Sequence, residues 1–139
     1  MNFETISPPQ AFERIQKSGA TYLDVRTHEE FAAGHAKGAV HIPLFVQGPV
    51  GRELNQDFLV QMAKIFPDKG ASLVVGCAAG GRSGRACELL ANAGYTELAN
   101  IDGGFSGRRD PVSGACLVKG WKDEGLPVEG GDASGCQHG

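Results

Sequence analysis

The stretch Ser72-Leu73-Val74-Val75-Gly76-Cys77-Ala78-Ala79-Gly80-Gly81-Arg82-Ser83 decides the fold. Ser72 to Val75 is the most hydrophobic strand in the chain and runs directly into Gly76-Cys77. Beyond the glycine-rich turn, Ser83 to Ala93 predicts a helix ended by Gly94, and Glu97 to Ile101 a further strand. A strand, a tight turn and a helix leading to another strand form the repeating unit of a parallel sheet.

The chain before this stretch follows the same alternation. Phe3 to Ile6 is expected as a short edge strand. Ser7-Pro8-Pro9 is a helix start, followed by Ala11, Phe12 and Ile15 on one face and a stop at Ser18-Gly19. Thr21 to Val25 predicts a strand, and Thr27-His28-Glu29-Glu30 is a capping box opening a helix to about Ala33. Ala39 to Ile42, bracketed by Gly34, Gly38 and Pro43, has the size of a short buried strand. Phe45 to Glu53 is polar and glycine-punctuated. Asn55 to Ile65 predicts a helix with Phe58, Leu59, Met62 and Ile65 at helical spacing. The expected architecture is a three-layer α/β/α domain around a central, mostly parallel sheet. Ligands in such sheets sit beyond the carboxyl ends of the strands, where Asp24-Val25-Arg26, Gly76-Cys77 and Asp102-Gly103-Gly104 should converge.

One core suits 139 residues, and the expected domain spans residues 1–129. The tail 130–139, glycine-rich and polar, is expected to be flexible. A net charge of -3 argues against nucleic-acid binding, which needs clustered Lys and Arg. No apolar run is long enough to span a bilayer, and Met1-Asn2-Phe3-Glu4-Thr5 lacks the basic and apolar regions of a signal peptide, so a cytoplasmic location away from membranes is expected. Four cysteines without C-x-x-C spacing predict free thiols and no metal site. The small size makes a monomer the simplest expectation.

A cysteine directly after a strand, followed by small residues and a helix start, sits at the focus of backbone amides. Amides of Ala78, Ala79, Gly80, Gly81, Arg82 and Ser83 would form a cradle favouring a thiolate at Cys77 and holding an anion. Gly80 and Gly81 permit the inward turn, and Arg82 adds a fixed charge. The plainer reading is a buried cysteine at a strand end. The glycines and Arg82-Ser83 favour the functional one. Cys87, mid-helix near Leu89 and Leu90, reads as core packing.

These residues resemble the rhodanese family. Leu23-Asp24-Val25-Arg26, Glu30-Phe31, Gly34-His35 and Gly38-Ala39-Val40-His41-Ile42-Pro43 are similar to its N-terminal signature. Cys77-x-x-Gly80-x-Arg82-Ser83 is similar to its active-site loop, and Ile101-Asp102-Gly103-Gly104-Phe105 with Gly125-Leu126-Pro127-Val128 to its closing signature. The resemblance covers roughly residues 3–129 and implies a sulfurtransferase. Cys77 would take sulfur from a thiosulfate-like donor as a persulfide and pass it to cyanide or a thiol, small or on a protein, with no cofactor. It also implies that Asp24 pairs with Arg82 and Arg26 with Glu30, supporting the loop beside Asp102. Arg82 would either bind the donor or brace the loop, and bracing is favoured.

Related phosphatases carry Cys, five residues and Arg, whereas here four residues separate Cys77 from Arg82. The shorter ring favours a single sulfur over a tetrahedral phosphate or arsenate, so an oxyanion hydrolase or reductase is the alternative reading. A non-catalytic binding module is the third, disfavoured by retention of Cys77 and the loop glycines. Residues 107–120 form an insert before Trp121. A solvated loop with an incidental cysteine is the favoured reading of it; in the alternative, Arg108 and Arg109 attract an anion and Cys116 accepts sulfur. His35 and His41 are expected to make structural hydrogen bonds, and His28 to be solvated.

Overall fold

The computed structural model describes residues 3–49, 51–78 and 81–129. The expected tail 130–139 lies outside them. The chain runs through β1 (Phe3–Ile6), α1 (Pro8–Ser18), β2 (Thr21–Asp24), α2 (His28–Ala33), β3 (His35–Ala36) and β4 (Val40–His41). It continues through β5 (Phe45–Gly48), β6 (Gly51–Leu54), α3 (Phe58–Ile65), β7 (Ser72–Gly76), α4 (Gly81–Asn92) and β8 (Glu97–Ile101). The last elements are β9 (Arg108–Arg109), β10 (Cys116–Val118) and β11 (Val128–Glu129).

Five strands form one parallel sheet in the order β1-β8-β7-β2-β4. From β2 the chain returns through α2 to β4 on one side, and from β7 through α4 to β8 on the other. The direction of winding therefore reverses between β2 and β7, and a crevice opens at their carboxyl ends. Cys77 follows β7 at that point.

Alternation along the strands divides the interior in two. Leu23, Leu73, Val75 and Leu98 meet Phe58, Met62, Ala86 and Leu90 from α3 and α4. Tyr22, Val74, Ala99 and Ile101 face the other way, against Ala11 of α1, Phe105 and Trp121.

Three local expectations change. Val40–His41 is an edge strand and half-buried, because β2 alone pairs with it in the sheet, and Ile42 beyond it is the residue sealed in the core. The polar stretch after Pro43 folds as the antiparallel β5–β6 hairpin, pairing Phe45 with Leu54, both of which pack on the core. α3 starts at Phe58 rather than Asn55. Asn55 is tied backwards, its amide donating to the Leu44 carbonyl and its Nδ2 to Pro43, while its Oδ1 accepts from the Asp57 amide. Within α3, Phe58 and Met62 are buried, whereas Leu59 and Ile65 are exposed. No helix of the described residues is long and apolar enough to cross a membrane.

Candidate functional site

Cys77 leaves the end of β7 with only 2% of its surface exposed. Its backbone is clamped from both sides. The Val25 amide donates to Gly76 O at 3.0 Å, Phe105 to Cys77 O at 2.7 Å and Ser106 to Ala78 O at 2.8 Å. The turn that delivers the last two amides contains Gly103 and Gly104, both at positive φ (81° and 53°). Asp102-Gly103-Gly104 thus meets Gly76-Cys77 as the sequence predicts. Ala79 and Gly80, expected in the anion cradle, lie outside the described residues. Gly81 is exposed at the start of α4, with Arg82 and Ser83 in that helix's first turn.

The ion pairs are exchanged relative to expectation. Asp24 pairs with Arg26, not Arg82, and Glu30 with Arg82, not Arg26. Asp24 and Arg26 are two residues apart at the end of an extended segment, so their side chains project to the same side. Arg26 Nε donates to both carboxylate oxygens at 3.1 Å and its Nη2 to Oδ2 at 2.8 Å, while the Arg26 amide donates to Oδ1. Arg26 Nη2 also donates to Gly34 O, and its guanidinium lies 4.4 Å from the centroid of the Phe105 ring. Asp24 is thereby saturated, which leaves Arg82 to the next carboxylate.

That carboxylate has two roles. Glu30 completes the capping box of α2, accepting from the Thr27 amide while its own amide donates to Thr27 Oγ1. It also accepts a fork from Arg82, Nη1 to Oε1 at 2.7 Å and Nη2 to Oε2 at 3.0 Å. Arg82 is thereby tied to Glu30, linking α4 to α2.

Those bonds give a pH signature. The Arg82 hydrogen bond above all, assisted by the Thr27 amide and opposed by burial, lowers the Glu30 carboxyl from 4.5 to about 2. A depressed folded-state value means the contribution is complete above about pH 4.5 and is lost as pH falls towards 2. Glu30→Gln keeps the cap but not the charge. We expect it to lower stability at pH 7 by about 1–2 kcal/mol, allowing for solvent screening at a partly exposed pair. In urea unfolding at stepped pH, the gap from the parent protein should narrow between pH 4.5 and 2.

Two further residues near Cys77 lie outside the sequence motifs. Asn100 of β8 is buried, and the Ser83 hydroxyl lies between it and the sulfur, bonding Asn100 Oδ1 and approaching Cys77 Sγ at 3.5 Å. Its signal was there: a polar residue inside Leu98-Ala99-Asn100-Ile101, where a parallel strand is otherwise apolar. Tyr22 is the other. Its hydroxyl is buried without a hydrogen-bond partner among the described residues, beside the Cα of Gly76, where any Cβ would collide with it. Burial first, and the neighbouring Asp24 charge second, push its phenol well above the ordinary value.

The remaining expected residues lie around this centre. Asp102 accepts from Arg108 at 2.6 Å, and Arg109 pairs with Asp123 at 2.7 Å, so both arginines of the insert are engaged with carboxylates. The insert is a β9–β10 hairpin with Cys116 exposed upon it. His35 Nδ1 bonds Phe31 O and His41 Nε2 bonds Arg26 O, with the Phe31 ring stacked between the two imidazoles. His28 is exposed. Cys87 is fully buried in the α4 core, and burial pushes its thiol up to about 12.

Known proteins share this fold. The family model described as a rhodanese-like domain matches residues 7–109. The chain is 39% identical over 112 residues to thiosulfate sulfurtransferase 16, chloroplastic, of Arabidopsis thaliana, covering 81% of this chain and 82% of that one. It is 48% identical over 89 residues to the Arabidopsis protein HIGH ARSENIC CONTENT 1, mitochondrial, covering 64% of this chain and about half, 52%, of that relative's length. A crystal structure from M. tuberculosis superposes with a TM-score of 0.73 at 26% identity, covering 91% of this chain and 96% of the other. The chain belongs to the rhodanese-like domain family.

Proposed function

We propose that this protein is a sulfurtransferase that carries sulfane sulfur on Cys77. The observation that carries this reading is the position of Cys77 at the winding reversal between β2 and β7, with Ser83 Oγ 3.5 Å from its sulfur and Arg82 braced by Glu30. Relatives named as thiosulfate sulfurtransferases support it. The Cys77 thiolate attacks the outer sulfur of a thiosulfate-like donor. A new S–S bond forms, the donor's S–S bond breaks, and sulfite leaves with the electron pair. Cyanide or a thiolate then attacks the outer sulfur of the persulfide, and the Cys77 thiolate departs. In this reading the backbone amides that open α4, from Gly81 to Ser83, stabilise the leaving anion, and the chemistry needs no cofactor. Intact mass spectrometry after thiosulfate treatment should show one added sulfur, absent in Cys77→Ser. A folded protein that gains none refutes the proposal.

One observation favours a second reading, oxyanion chemistry at the same cysteine: the 48% identity to a relative named for arsenic content. It predicts turnover of arsenate or a phosphate ester with no sulfur adduct on Cys77.

A further inference from the structure

We propose that Asn100 is a positioning residue for Cys77, acting through Ser83 as a reversible hydrogen-bond relay. The inference rests on Cys77 being the sulfur-carrying nucleophile. Strand alternation puts Asn100 on the same face of the sheet as Leu98, the face covered by α4. There the Ser83 hydroxyl bridges Asn100 Oδ1 and Cys77 Sγ.

A hydroxyl has one proton, so Ser83 can donate to only one of these two partners at a time. With a neutral thiol, the S–H points to Ser83 Oγ and Ser83 donates to Asn100 Oδ1. Once the thiol proton has gone to water, Ser83 can turn its proton to the sulfur. The Asn100 oxygen would then face a lone pair. An amide solves this by turning over, because its oxygen and nitrogen ends have nearly the same shape. Nδ2 then donates to Ser83 Oγ, and the hydroxyl is fixed on the thiolate. Asn100 Nδ2 lies towards Gly84, which has no side chain to oppose the turn. A carboxylate at this position could serve only the thiol state, and an apolar side chain would serve neither. Arg82, Tyr22 and Cys87 also lie within electrostatic reach of the sulfur, and the variants below leave them in place.

The test is the pH dependence of iodoacetamide alkylation at Cys77, read by peptide mass spectrometry in variants whose fold is verified by circular dichroism. Ser83→Ala should raise the midpoint by about one pH unit through loss of a donor to the thiolate. Asn100→Ala should raise it by less, and should add nothing in the Ser83→Ala background. A midpoint unmoved in folded Asn100→Ala, or a full additional shift in the double variant, overturns the relay. If Asn100→Ala does not fold, Asn100→Leu, of similar size and uncharged, carries the test: its midpoint should also rise, and an unmoved one overturns the proposal. Alkylation requires no sulfur donor, so the two readings fail separately. Unmoved midpoints beside an intact sulfur adduct remove the relay alone. Shifted midpoints without an adduct remove the sulfurtransferase reading alone.

Discussion

Gly104→Ala is expected to lower stability by about 3–5 kcal/mol, the sum of a strained backbone and a direct backbone collision. The residue sits at φ +53°, a region that costs an L side chain roughly 1–2 kcal/mol. A Cβ there would also strike the carbonyl oxygen of Cys77 and lie 2.9 Å from both C and O of Ala78. Backbone cannot yield as the end of a flexible side chain does. Relief requires moving the very turn whose Phe105 and Ser106 amides donate to those two carbonyls. The variant should therefore melt on the order of 10–20 °C lower and should accept sulfur poorly even where it remains folded. Gly19→Ala is the control. It shares a positive φ, 70°, but a Cβ there meets nothing within 4 Å. It should cost only about 1 kcal/mol and leave sulfur uptake unchanged. Thermal melts and adduct formation, measured on both variants, separate collision from conformational strain.

The same residue shows what the sequence could and could not disclose. Asp102-Gly103-Gly104 after a strand announces a turn at the sheet's carboxyl edge, and adjacent glycines announce a tight approach. Which backbone they approach is a property of the packed sheet. The strand–helix alternation likewise fixes the layers, and the capping box at Thr27 and Glu30 is visible in four residues because all of its bonds are local. Glu30's second role is not local, since its partner Arg82 lies 52 positions away and the choice between two acids depends on which is already occupied. The partner of Asn100 is hidden for a related reason. A polar residue in a buried strand signals a satisfied group without naming its partner.

Asp24→Ala is expected to cost about 3–5 kcal/mol by a different route, the stranding of a buried charge. Both partners are inside, with the Asp24 side chain fully buried and that of Arg26 4% exposed. The guanidinium is packed against Phe105, and without Asp24 its remaining acceptor among the described residues is Gly34 O. The gain from the ion pair itself is modest, because burying two charges costs nearly what their attraction returns. These two facts give opposite predictions for single and double variants. Asp24→Leu with Arg26→Met removes both charges and keeps apolar volume, so it should recover most of the stability lost in Asp24→Ala. Asp24→Asn should fall between them, keeping one acceptor for the Arg26 fork but no charge. Urea unfolding of the three variants at pH 7 measures the order. A double variant as unstable as Asp24→Ala would mean that the carboxylate's bond to the Arg26 amide, rather than charge compensation, is what the turn before α2 requires. Restored stability with Cys77 still accepting sulfur would mark the pair as scaffold. Restored stability with sulfur uptake lost would show that the buried charges also set the field at the end of β2, where Asp24 pairs in register with Gly76 beside Cys77.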